Sequence, residues 1–94
     1  RELMADLYRS QKRYEKAEPL YRFCLDRNPE RDQIRLKLAE MLSWMKRYDE
    51  SLAEYEKLLA RKPRDIQVRR KYASVLIWAG RNEEAVRELK QTLP

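Results

Sequence analysis

The sequence predicts an all-α protein of three stacked helical hairpins, six helices in all. Three observations carry that expectation. Composition is the first: of 94 residues one is Gly and four are Pro, so hairpin turns and sandwich loops have little to be made from. Ala, Leu, Glu, Lys, Arg and Gln, the good helix formers, dominate instead. The second is an internal period, with Pro29 and Pro63 standing 34 residues apart, as do Trp44 and Trp78. The third is that each period holds two apolar stripes at helical spacing, parted by a short polar joint.

Helices are expected at about 1–11, 14–27, 32–45, 48–61, 66–79 and 82–92. In the middle unit Ile34, Leu38, Met41, Leu42 and Met45 step by three and four. After Lys46-Arg47 the phase restarts with Tyr48, Leu52, Tyr55, Leu58 and Leu59, which reads as two antiparallel helices. The same columns fill in the flanking units. Met4, Leu38 and Tyr72 align, as do Ala5, Ala39 and Ala73, and Tyr8, Leu42 and Leu76. In the second helices Tyr14 aligns with Tyr48, Ala17 with Ser51 and Ala85, Tyr21 with Tyr55 and Leu89, and Leu25 with Leu59 and Leu93. Glu15, Asp49-Glu50 and Glu83-Glu84 open the second helices. Lys12-Arg13, Arg27, Lys46-Arg47, Arg61-Lys62 and Arg81 are read as closing helices, a polarity that suits the helix dipole. Pro29 and Pro63 then stop the chain at unit boundaries, and Pro19 is expected to cost one backbone bond inside its helix. Hairpins this short cannot bury both faces alone, so the units stack as a solenoid.

The pattern resembles the tetratricopeptide repeat. The period of 34, the small columns Ala5/Ala39/Ala73 and Ala17/Ser51/Ala85, the aromatic Tyr21 and Tyr55, and Pro29 and Pro63 carry the resemblance over essentially the whole chain. It implies a right-handed α-solenoid in a single domain, 1–94, with units 1–31 (N-terminally incomplete), 32–65 and 66–94. There are departures. The usual Trp of the first helix is replaced by Arg1, Arg35 and Arg69. The usual turn Gly survives only as Gly80, with Lys12 and Lys46 in the other turns, and Leu89 replaces the third aromatic. The chain starts inside a first helix and stops without a polar capping helix, which suggests a fragment of a longer array. An alternative is that the surface around Val86, Leu89 and Leu93 drives self-association. The segments Leu42-Ser43-Trp44 and Leu76-Ile77-Trp78-Ala79-Gly80-Arg81 look like repeats of large bacterial arrays, some of them periplasmic. The compartment is left open between cytoplasm and bacterial periplasm.

Chemistry is expected to be absent. The chain has no His, a single Cys and one Gly, so the commonest general base, a zinc set and a phosphate-binding loop are all missing. No disulfide can form within the chain, and Cys24 reads as a small core residue in a column with Leu58 and Thr92. No cofactor, metal or catalytic residue is expected. No apolar run reaches the roughly 20 residues of a membrane span, so no membrane insertion is expected either.

Binding is the expected role. In the resembled family the first helices line a concave groove. The residues carried over are Gln33, Leu36, Glu40, Ser43 and Trp44 in the middle unit and Gln67, Arg70, Ser74, Ile77 and Trp78 in the third. The incomplete first unit offers Glu2, Asp6, Arg9 and Ser10. Trp and Arg are favoured anchors, although Trp44 and Trp78 could equally pack between helices. Leu36 and Ile77, apolar with no evident structural need, point to a recognition surface. Glu2 and Asp6 stand where some family members hold a C-terminal carboxylate with Lys and Asn, and would repel one. The expected partner is a protein or peptide. The alternatives are a self-assembling spacer, with homo-oligomers formed through exposed terminal helices, and a weak nucleic-acid or acidic-partner site on the basic run 61–71. The net charge of +6 permits the last. Nucleic acid is disfavoured, since Arg69, Arg70 and Lys71 are consecutive on a helix and point in different directions.

Overall fold

The computed structural model describes residues 1–93. Six helices follow one another: α1 (Glu2–Ser10), α2 (Tyr14–Arg27), α3 (Asp32–Trp44), α4 (Tyr48–Arg61), α5 (Ile66–Trp78) and α6 (Asn82–Lys90). Each packs on its chain neighbour, α1 on α2, α3 on α4 and α5 on α6 within hairpins, and α2 on α3 and α4 on α5 between them. The stack measures 39 × 25 × 17 Å. The expected helix boundaries hold to within two residues.

The turns inside the hairpins set those boundaries. Lys12, Lys46 and Gly80 all adopt left-handed backbone, with φ of 62°, 62° and 81°. Around each runs the same pair of bonds. Arg13 N donates to Tyr8 O at 2.9 Å and Lys12 N to Arg9 O at 3.0 Å, and Arg47→Leu42 with Lys46→Ser43, and Arg81→Leu76 with Gly80→Ile77, repeat them. This is the Schellman arrangement, which satisfies the last carbonyls of a helix. It corrects one expectation: Arg13, Arg47 and Arg81 do not close the first helices but stand at the N-cap of the second. Base at a helix N-terminus opposes the dipole. Carboxylates offset it for two of the three. Arg47 pairs with Glu50 and with Glu18, the latter at 2.5 Å, and Arg81 pairs with Glu84 at 2.7 Å.

The small columns explain how the hairpins close. Ala5, Ala39, Ala73, Ala17 and Ser51 are fully buried and Ala85 nearly so, letting the two helices of each unit approach. Ser51 adds a bond, its Oγ donating to Ala39 O at 2.6 Å. Two apolar clusters follow. One joins Ala5, Ala17, Tyr21 and Leu25 of the first hairpin to Ile34, Leu38, Met41 and Leu42 of α3. The other joins Ala39, Leu52, Tyr55, Leu58 and Leu59 to Val68, Tyr72, Val75, Leu76 and Ala85. Each cluster spans a boundary between hairpins, as a stack that buries its faces jointly requires. Cys24 is half-buried against the first cluster. Pro19 lies inside α2, where it withholds one donor.

The arginines that replace the usual tryptophan have a structural task. Arg35 Nη1 meets Glu54 Oε1 at 2.6 Å, and its Nη2 donates to Pro29 O at 3.1 Å. Arg69 repeats this 34 residues on, with Glu88 at 2.5 Å and Pro63 O at 2.7 Å. Each guanidinium therefore ties the first helix to the second and to the preceding loop. Leu20 occupies the column of Glu54 and Glu88, and Arg1 instead stacks over Phe23, at 4.0 Å from the ring centre.

Candidate interaction groove

The first helices α1, α3 and α5 present a face crossed by ion pairs between hairpins. Lys37 Nζ reaches Asp6 at 3.0 Å and Glu2 at 3.1 Å, and Lys71 Nζ reaches Glu40 at 2.9 Å. Asp6 aligns with Glu40 and Lys37 with Lys71, so one contact recurs at both boundaries. Lys37 holds the Glu2 carboxyl below its ordinary value, helped by Arg31. Burial works to raise Asp6, but hydrogen bonds from Tyr21 and Lys37 outweigh it and the net shift is downward. Burial likewise opposes the charge on Lys37, and its two carboxylates win, raising it. The carboxylates of Glu2 and Asp6, expected from the sequence to repel a partner's carboxylate, are thus neutralised within the chain.

Between α3 and α5 lies a cleft of about 190 Å³ that brings together Glu40, Ser43, Trp44, Ser74 and Trp78 of the expected residues. Trp44 and Trp78 are the last residues of their helices, and 48% and 56% of their surfaces are exposed. Trp44 also rests on Tyr14, with ring centres 6.0 Å apart and planes at 44°, so it packs and faces solvent at once. Ser43 is buried and its Oγ donates to Glu40 O at 2.6 Å, leaving its hydroxyl engaged within the helix. Ser74 Oγ likewise donates to Arg70 O at 3.1 Å.

The remaining expected residues lie elsewhere. Gln33 and Leu36 line a second cleft of about 230 Å³ with Leu58, Lys62 and Val68. Leu36 is half-buried against the second cluster, so it does have the structural need that the sequence did not reveal. Gln67, Arg70 and Ile77 are exposed on α5 outside both clefts. In the first unit Asp6 and Arg9 are partly covered, and Ser10 Oγ donates to Leu7 O at 2.7 Å.

Lys71, Tyr55 and Val75 line the α3–α5 cleft without having been expected there. The lysine had a legible signal, because Lys37 and Lys71 share a column and each lies 31 residues after an acid. Tyr55 and Val75 belong to the core stripe, and only packing brings them under the groove. The two boundaries differ in how the tyrosine is used. Tyr21 Oη donates to Asp6 at 2.5 Å. At the equivalent place Glu40 is drawn to Lys71. Burial, with Glu40 adding to it, raises Tyr55 and keeps it protonated.

A family model for the tetratricopeptide repeat matches residues 8–74 and again 45–94. The chain belongs to the tetratricopeptide repeat family. Among solved structures, MamA AMB-1 superposes with a TM-score of 0.87 at 26% identity, covering 97% of this chain and 54% of that one. MamA MSR-1 gives 0.86 at 26% identity, covering 96% and 52%. The chain therefore spans about half the length of these MamA structures. A comparison with curated proteins found no match. Tetratricopeptide repeats are protein-interaction modules, and no helix of the described residues is long and apolar enough to cross a membrane.

Proposed function

We propose that the chain is a non-catalytic scaffold, in units 1–31, 32–65 and 66–94, that holds a segment of a partner protein in the concave groove. The observation that supports this most directly is the pair of half-exposed tryptophans, Trp44 and Trp78, on one cleft between consecutive first helices. Rigid rings with one face free are efficient anchors, since they bury large area and lose little side-chain freedom. Gln33, Leu36, Glu40, Ser43, Gln67, Arg70, Ser74 and Ile77 complete the proposed surface, with Ser43 contributing to the cleft wall. Peptides selected from a random display library against the wild-type chain test the reading. Binders should lose at least about tenfold in affinity, or about 1.4 kcal/mol, against the Trp44→Ala/Trp78→Ala protein. Selected peptides that bind that protein undiminished would place recognition off the groove.

A second reading is supported by a separate observation. Leu3, Met4 and Leu7 on α1 and Val86, Leu89 and Leu93 towards the other end are exposed. These are two different apolar faces, and joining one to the other between copies makes an open stack. Sedimentation equilibrium over a wide concentration range separates the readings. Association that survives Trp44→Ala/Trp78→Ala but is lost with Leu3→Glu/Leu7→Glu assigns assembly to the ends, and a monomer throughout rejects it.

A further inference from the structure

We infer that the boundary between the first and second hairpins is an ionic latch released by acid, so that the first hairpin undocks as a unit while the other two stay stacked. Three acids of the first hairpin, Glu2, Asp6 and Glu18, are each gripped by cations of the second. Between first helices, Lys37 reaches Asp6 at 3.0 Å and Glu2 at 3.1 Å, and Arg31, at the start of α3, reaches Glu2 at 2.8 Å. Between second helices, Arg47 reaches Glu18 at 2.5 Å, and Arg22 faces Glu50 at 3.8 Å. The boundary between the second and third hairpins is built otherwise. Among the described residues it has one ion pair, Lys71 to Glu40 at 2.9 Å, and a bond from Tyr72 Oη to Glu56 at 2.9 Å. Apolar contacts divide the opposite way. The first hairpin brings Ala5, Ala17, Tyr21 and Leu25 to its boundary, whereas the second brings Leu52, Tyr55, Leu58 and Leu59 to the next. One column shows the exchange, because Glu18 stands where the later hairpins have Leu52 and Val86.

In a stack each hairpin touches only its neighbours, so one boundary can open while the other holds. Protonation acts on the first boundary selectively. Lys37, with Arg31, holds Glu2 below its ordinary 4.5, and Arg47 does the same for Glu18. Burial opposes the charge on Asp6, but Tyr21 and Lys37 prevail and hold it below 3.8. Carboxyls lowered by docking support the docked form above their free values, and that support is lost as pH falls through the docked values. Once Glu2, Asp6 and Glu18 are neutral, Arg31, Lys37 and Arg47 lose these counter-charges, and Arg9 loses Asp6, 4.0 Å away on α1. Like charges then accumulate at the boundary and oppose docking. Neighbouring groups do not replace the latch. Glu50 is lowered chiefly by Arg47 of its own hairpin, and Glu84 by Arg81 of its own. In the α2–α4 cleft Arg35, Glu54 and Lys57 pair within the second hairpin, and Asp26 makes no ion pair among the described residues. At the second boundary Tyr72 Oη can still donate to Glu56 when that carboxyl is protonated, so acid removes only the Lys71–Glu40 pair.

Amide hydrogen exchange followed residue by residue, and corrected for the intrinsic pH dependence of exchange, tests this. From about pH 6.5 to about pH 3.5, protection in α1 and α2 should fall about tenfold further than in α4, α5 and α6. Glu18→Gln with Asp6→Asn removes two latch charges and should reproduce that loss in α1 and α2 at neutral pH. Glu40→Gln, at the second boundary, should leave α1 and α2 as they are. In the wild-type chain at neutral pH, added sodium chloride should also lower protection in α1 and α2, since partly exposed pairs are screened, while α5 and α6 hold. Acid loss shared equally by all six helices would mean one cooperative unfolding and overturn the latch. Loss that begins in α5 and α6 would overturn it too, because the last hairpin would then be the weaker end. Wild-type protection in α1 and α2 that ignores salt would count against the latch even where the double variant fails to fold. A folded double variant with wild-type protection would place the acid response on other groups.

Discussion

Lys12, Lys46 and Gly80 share one place in the repeat and one left-handed backbone, but only the glycine adopts it without steric cost. A side chain there costs about 1–2 kcal/mol, while glycine loses about 0.4–1 kcal/mol through its freer unfolded chain. Lys46→Gly should therefore raise stability by roughly 0.5–1 kcal/mol, read as a higher urea midpoint at unchanged slope. The reverse change isolates the backbone. A Cβ added at Gly80 meets nothing within 4 Å, so Gly80→Ala should lose a similar amount from φ alone. An unchanged midpoint in both would mean that the turn relaxes. The sequence marked these positions, since two lysines stood where a glycine is usual. It did not give the conformation, which depends on the bond from Arg47 N to Leu42 O across the turn.

At the scale of the helical hairpin, Arg35 and Arg69 stand where the family usually has Trp. The large apolar ring is replaced by an ion pair across the hairpin, Arg35 to Glu54 and Arg69 to Glu88, anchored to a proline carbonyl. Arg35 and Glu54 keep only 11% and 7% of their side-chain surface exposed, so removing one partner strands the other in low dielectric. Glu54→Ala should cost about 3 kcal/mol, against about 1 kcal/mol or less for Lys57→Ala, whose side chain is 60% exposed. Arg35→Met with Glu54→Leu should recover most of the loss, and thermal denaturation of the single and double variants reads the coupling. Every helix was legible beforehand because column and stripe agreed, and the small columns are buried throughout. The pairing of Arg35 with Glu54 was not, since it joins residues 19 apart whose approach is set by how α3 and α4 close. The groove was legible in part for the same reason. The repeat period places Trp44 and Trp78 at one position of successive first helices, but only packing brings Tyr55 into the cleft they line and sets Leu36 half-buried against the second cluster.

The molecule as a whole is held by two clusters in series, each bridging hairpins, and by carboxylates that the fold keeps ionised. Arg47 lowers Glu18 and Lys37 lowers Glu2, and Asp6 is lowered despite its burial. A carboxylate lowered on folding contributes stability above its unfolded value, here 4.5 for Glu and 3.8 for Asp, and that contribution is lost as pH falls through the folded value. Melting temperature should thus be flat at neutral pH and fall below about pH 4.5, and Glu18→Gln should make the fall shallower while lowering the plateau. A slope unchanged by Glu18→Gln would assign acid sensitivity elsewhere. At the other end of the scale burial raises Tyr21, Tyr55 and Tyr72 above their ordinary 10.0. Protonated phenols are favoured by the fold, so stability present below pH 10 is lost as pH rises further. Tyrosinate absorbance should appear together with loss of helical circular dichroism.

The hairpin turns also make the chain a clock for its own opening. Lys12-Arg13 and Lys46-Arg47 are dibasic sites for trypsin, with Lys12, Arg13 and Lys46 exposed, at loop tips of the kind proteases nick first. The bond beyond each lysine is nevertheless wound into a left-handed turn closed from Arg13 N to Tyr8 O or from Arg47 N to Leu42 O. A protease that needs its substrate drawn out straight must wait for that turn to come undone, so the rate of nicking at each site reports how often its hairpin opens.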